Sequence, residues 1–125
     1  MNEFNYKLMF DNRGTYLYAF ITGQDSFAAS LSYWNEIADE IKRLGCTKLL
    51  VHEQLEGNVD EGEIFDVIMD LKESVLLGVQ IAFYDENRDD IPINALGQLV
   101  ANNRGGAVRL FHNLKAAMNW IEHDA

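Results

Sequence analysis

The alternation of hydrophobic and polar positions changes period along the chain, and each change marks a predicted element. Phe4, Tyr6, Leu8 and Phe10 alternate with Asn5 and Lys7, the two-residue period of a half-buried strand. Asp11-Asn12-Arg13-Gly14 reads as a turn. Thr15 to Thr22, rich in aromatic and β-branched residues, is the returning strand, ended by Gly23. The period then lengthens. Phe27, Leu31, Trp34, Ile37 or Ala38, Ile41 and Leu44 recur at three- and four-residue steps and make one apolar helical stripe. Asp25 or Ser26 is placed to cap this helix, Lys42 and Arg43 suit the negative end of its dipole, and Gly45 is the expected stop.

Thr47 to His52 is a nearly continuous apolar run, as a strand covered on both faces requires. Glu53 to Asn58 reads as a loop. A second helix over 60–77 follows, with Ile64, Val67, Ile68, Leu71 and Val75 on one face and Asp60, Glu61 and Glu63 in its first turn. After Gly78, Val79 to Tyr84 is the next buried strand. The acidic loop Asp85 to Asp90 leads through Pro92 into a helix ending at Asn103 or Arg104. Gly105-Gly106 stops it, Ala107 to Phe111 is the last strand, and Asn113 caps a closing helix that carries Leu114, Ala117, Met118 and Ile121. The order ββαβαβαβα predicts an α/β fold. Its sheet is mixed and mostly parallel, with the first hairpin as an antiparallel addition and helices packed on it.

Composition adds bounds. With 48% hydrophobic and 24% charged residues over 125 positions, the chain is expected to form one globular domain spanning 1–125. The opening MNEFNYKLMF is not read as a signal peptide, and the run Val75 to Phe83 is too short to cross a bilayer. Cys46 stands alone, which suits a reducing compartment, so the expected location is cytoplasmic. The net charge of −10 has an address. Residues 52–90 hold twelve acids against Lys72 and Arg88, whereas 1–51 hold six acids and five bases, and 91–125 two acids and three bases. Such a surface repels phosphate backbones, which excludes nucleic acid as the expected partner and favours a basic protein.

The stretches GVQIAFYDENRDD, LGQLVANNRGGAVRLF and LKAAMNWI, with Asn103-Arg104-Gly105, Phe111 and Trp120-Ile121, resemble those of small bacterial SpoIIAA-like (STAS-related) proteins. That fold is related in topology to CRAL-TRIO lipid-transfer domains. The resemblance implies the SpoIIAA-like arrangement and, for the founding anti-sigma antagonists, partner switching through a phosphorylated serine. The corresponding stretch Asn58-Val59-Asp60-Glu61-Gly62-Glu63 has neither Ser nor Thr, so that switch is not carried over.

In an open α/β sheet ligands favour the edge where the strands' carboxyl ends emerge. His52 and Glu53, Asp85 and Glu86, and His112 stand at three such ends. With Asp60, Glu61 and Arg104 they form the candidate ligand or partner surface. No ligand spacing of the HxxxH or CxxC kind accompanies them, and Gly105-Gly106 follows a helix where a phosphate cradle would precede one. No metal, cofactor or catalytic residue is therefore expected. The expected function is a non-catalytic interaction domain acting through protein contacts. The alternative is a small-molecule or lipid-binding module with a cavity between the second helix and the sheet. Tyr33, Trp34 and Trp120, at the margin of the predicted core, suit a homodimer contact.

Overall fold

The computed structural model describes residues 4–57, 59–70 and 78–123. The protein is an α/β fold with one five-stranded mixed sheet and, among the described residues, four helices. In chain order these are β1 (Tyr6–Asn12), β2 (Leu17–Gln24), α1 (Phe27–Leu44), β3 (Lys48–Glu56), α2 (Glu61–Asp70), β4 (Gln80–Asp85), α3 (Ile91–Asn103), β5 (Ala107–Phe111) and α4 (Leu114–His123). A single 3₁₀ turn, Arg88–Asp90, precedes α3. The strands lie side by side in chain order. β1 pairs antiparallel with β2, and the pairs β2–β3, β3–β4 and β4–β5 are parallel.

Strand alternation sorts the side chains into two layers. Leu17, Ala19, Ile21, Leu49, Val51 and Ile81 face α1, where they meet Tyr33, Ile37 and Ile41. Tyr16, Leu50 and Ala82 face the other way and are covered by Ala117 and Ile121 of α4. A smaller cluster of Ile68, Ala101, Ile64 and Val108 joins α2 and α3 over β4 and β5. Among the described residues three helices thus share one face of the sheet, and α4 crosses the second. The helix ends follow local chemistry. Ser26 Oγ accepts from Ala29 N–H, Gly45 closes α1 at φ +66°, and Asn113 Oδ1 accepts from Ala116 N–H at the start of α4. Asp60 and Glu63 exchange backbone-to-carboxylate hydrogen bonds at 2.8 and 3.1 Å, a reciprocal cap for α2.

Three expectations need correction. The first turn is displaced, because β1 continues through Asp11 and Asn12 opposite Tyr18 and Leu17, and the reversal falls on Arg13–Tyr16. β3 does not stop at His52. Pairing with β2 carries it to Glu56, opposite Gln24, so Glu53 lies inside a strand and not in a loop. The buried face of α1 is rotated from the expected stripe: Ala29, Ser30 and Tyr33 are buried with Ile37, Ala38 and Ile41, whereas Phe27, Leu31 and Trp34 are half-buried. Tyr33 turns inward because its hydroxyl finds acceptors there, which removes it from any dimer contact. Leu71 and Val75, assigned to the second helix, lie outside the described residues.

The outer edge of β5 is closed by amide side chains one turn apart on α3. Gln98 Oε1 accepts from Leu110 N–H at 2.8 Å. Asn102 accepts from Val108 N–H and donates to Val108 C=O, at 2.8 and 3.0 Å. At the hairpin, by contrast, backbone meets backbone. Gly23 has φ +113°, and a Cβ there would stand 2.2 Å from Asn5 O, whereas one at Gly45 would meet nothing within 4 Å. Gly45→Ala is therefore expected to cost about 1–2 kcal/mol for its left-handed backbone alone. Gly23→Ala should cost more, and urea unfolding of both variants checks the difference.

Candidate functional site

Register and alternation bring acids together at the carboxyl ends of the strands. Glu53 and Asp85 are direct neighbours on β3 and β4 and point to the face that carries α1. Asp25 follows β2 and Asp90 precedes α3, so both reach the same place from the loops. The four carboxyls line one end of a cavity of about 100 Å³. Its remaining wall is largely apolar: Ile64, Val67 and Ile68 of α2, Phe83 of β4 and Trp34 of α1. Gly97 of α3 supplies a stretch of wall without a side chain.

The four acids are not equivalent. Asp25 Oδ1 accepts from Ser30 Oγ at 2.8 Å and from Ser26 N–H at 2.9 Å, and Tyr33 OH lies 3.3 Å from both carboxyl oxygens. Burial still pushes its pKa up, against those bonds. Asp85 is held by Asn87 N–H and by Asn94 Nδ2 of α3 at 2.9 and 3.0 Å. Glu53 is only 5% exposed, and Tyr33 OH at 3.4 Å is its one side-chain partner among the described residues. Burial, followed by the charges of Asp25, Asp85 and Asp90, raises its carboxyl well above the usual range. Asp90 is pushed up to about 7, first by burial and then by its hydrogen bond to Asp85 and the charge there.

On the opposite face of the sheet, His52 has both ring nitrogens engaged. Nδ1 is 2.6 Å from Tyr18 OH and Nε2 is 2.6 Å from Glu86 Oε2. Phe20 and Tyr84 pack on its ring at centroid distances of 4.6 and 5.0 Å, and the Arg13 guanidinium lies 4.2 Å from the Tyr18 ring. On the same face, Met9 of β1 is 52% exposed.

The sequence-derived surface therefore divides. Glu53 and Asp85 meet in the cavity, His52 and Glu86 pair on the other face, and strand alternation keeps the two sets apart. Asp60 is engaged in the α2 cap, and Glu61 beside it is exposed. Arg104 donates to Ile68 C=O at 2.8 Å and ties α3 to α2, while His112 is exposed in the turn before α4. Sequence reasoning passed over Asp25, Tyr33, Asp90 and Asn94. For Asp25 the signal was present, since it ends β2 as Glu53 and Asp85 end their neighbours, but its capping position absorbed it. Among the described residues no group of three or more His, Cys, Asp or Glu side chains is arranged to hold a metal ion, and no helix is long and apolar enough to cross a membrane. No family model matches the chain, and no curated protein matches it.

A carboxyl with a raised folded pKa holds a proton that the unfolded chain has already lost, so its stabilising effect is present at low pH and fades as pH rises through the folded value. For Asp90 that window runs from about pH 4 to about pH 7. Asp90→Asn is expected to flatten the fall in stability across this window and to leave stability near pH 4 little changed. Urea unfolding at stepped pH values reads both.

Proposed function

We propose that the protein is a binding module that takes a small molecule in the cavity between its three helices and the sheet. The carrying observation is the cavity itself, with an apolar wall on one side and converging polar groups on the other, the usual make-up of a ligand site. Its volume of about 100 Å³ falls below the roughly 300–1,000 Å³ of pockets for drug-sized ligands. This favours a compact ligand over a lipid tail. A non-catalytic role is supported by His52, whose two nitrogens are already spent on Tyr18 and Glu86. The β2-to-β5 run of strands joined by helices, in chain order, supports the SpoIIAA-like reading of the fold.

The outer face of α2 favours a second reading, docking of a basic protein partner. Phe65 and Met69, one turn apart, are 47% and 48% exposed among exposed Glu61, Asp66 and Asp70. Binding there should weaken steeply with salt, and binding indifferent to salt counts against it.

Gly97 gives the direct test of the cavity. A Cβ at this position would make ordinary contact with Ile64 and Ile68 at 3.5 and 3.7 Å, so a longer side chain projects into the space. Toluene at saturation is expected to raise the thermal midpoint of the wild-type protein and to leave that of Gly97→Leu unmoved. A midpoint equally indifferent to toluene in both proteins, with both folded, counts against an accessible cavity.

A further inference from the structure

The cavity is electrically one-sided. Four carboxyls line it, and no Lys, Arg or His is among the described residues of its lining. Carboxyls drawn into a low-dielectric space are normally matched by a cation or by several donors. Asp25 and Asp85 have donors, as described above. Glu53 has only Tyr33 OH, which donates to one of its oxygens at 3.4 Å. A side chain only 5% exposed thus lines the cavity with one long hydrogen bond and three further acids around it.

We propose that the ligand is a small organic monocation, a primary or secondary ammonium carrying a short alkyl or aryl group. Its N–H groups would meet Glu53, Asp25, Asp85 and Asp90, and its apolar part would lie against α2 and Phe83. This ligand class rests on the reading of the cavity as a binding site. An ammonium supplies the donors that Glu53 lacks and the charge that the cluster lacks. Tyr33 and Trp34 also line the cavity, and aromatic rings are a favourable neighbour for a cation. The apolar wall has no use for a hydrated metal ion, whereas it accommodates the carbon part of an amine.

The site is built to exchange a proton for its ligand. In the free protein burial and neighbouring acids favour the protonated forms of Glu53 and of Asp90, the latter pushed up to about 7. The groups facing them are Asp25 and Asp85, the buried Tyr33, and Asp89 beside Asp90. Entry of an ammonium reverses that preference, and the carboxyl releases its proton to solvent as the N–H···O contact forms. Affinity is therefore expected to rise with pH through about 7 and to fall again near the pKa of the amine, about 10 for an alkylammonium of the lysine type.

The experiment titrates the ¹⁵N-labelled full chain at pH 8 with n-butylammonium or benzylammonium chloride, and in parallel with 1-butanol or benzyl alcohol. Calorimetry in two buffers of different ionisation enthalpy counts released protons. The ammonium ions are expected to bind about tenfold or more tightly than the alcohols. They should shift the amides of Tyr33, Glu53, Gly57 and Gly97 and release protons. Glu53→Gln should reduce ammonium affinity to that of the alcohols, and Asp90→Asn should reduce proton release in a protein that keeps Glu53. Alcohols binding as tightly as the ammonium ions overturn the cationic class and leave the cavity reading standing. If neither class shifts those amides, both are overturned. Retention of full ammonium affinity in both variants also overturns the proposal.

Discussion

Because β3 lies at the centre of the sheet, with three helices on one face and α4 on the other, every residue from Leu49 to Glu53 must be accommodated away from water. Leu49 and Val51 pack under α1, and Leu50 packs under α4. The same alternation, continued two residues further, leaves two polar side chains inside on opposite faces. His52 is accommodated by a hydroxyl and a carboxylate that satisfy both its nitrogens. Glu53 receives one long contact from Tyr33. The two neighbours in sequence thus have opposite standing: one is a completed structural network, and the other is an acceptor with capacity to spare.

An acid so placed is tolerable for two reasons. The starts of α1 and α3 lie at this edge of the sheet, beside Asp25 and Asp90, and the positive ends of their dipoles offset part of the repulsion among the carboxyls. Protons do the rest, since raised pKa values mean that the cluster is seldom fully charged. The negative charge concentrated in residues 52–90 is consequently of two kinds. Glu56, Asp60, Glu61, Asp66 and Glu86 meet solvent and keep the surface acidic, while Glu53, Asp85 and Asp90 turn inward.

Much of the fold was legible in the sequence because periodicity and punctuation agree in it. Ser26, Gly45 and Asn113 act at the helix ends where they were expected, and the element order is that of the alternating patterns. The errors have a common source. Glu53-Gln54-Leu55-Glu56 reads as a loop because charged residues argue against a strand interior, and only pairing with Ile21 to Gln24 overrides that. Tyr33 displaced Leu31 from the helix stripe because a hydroxyl can be buried where acceptors await it, and a hydrophobic count does not weigh that. The surface built from strand ends merged two faces into one, since adjacency in sequence is opposition in a strand. A cavity between the second helix and the sheet was expected only as the alternative reading, and its acidic lining had no one-dimensional sign. It is the space that Gly97 leaves between α2 and α3, and it depends on how three helices lie against one another.

The amide side chains that close the β5 edge make the sheet unequal at its two ends. Gln98 and Asn102 occupy the backbone groups that a sixth strand would need, whereas no described element pairs with the outer edge of β1. A sheet with two free edges can be extended head to tail without limit, each copy offering an edge to the next. With one edge spent, any further strand can be added only at β1, and two copies meeting there would use up each other's only opening. A strand added at β1 by a second copy would therefore close on a pair and leave no described edge for a third.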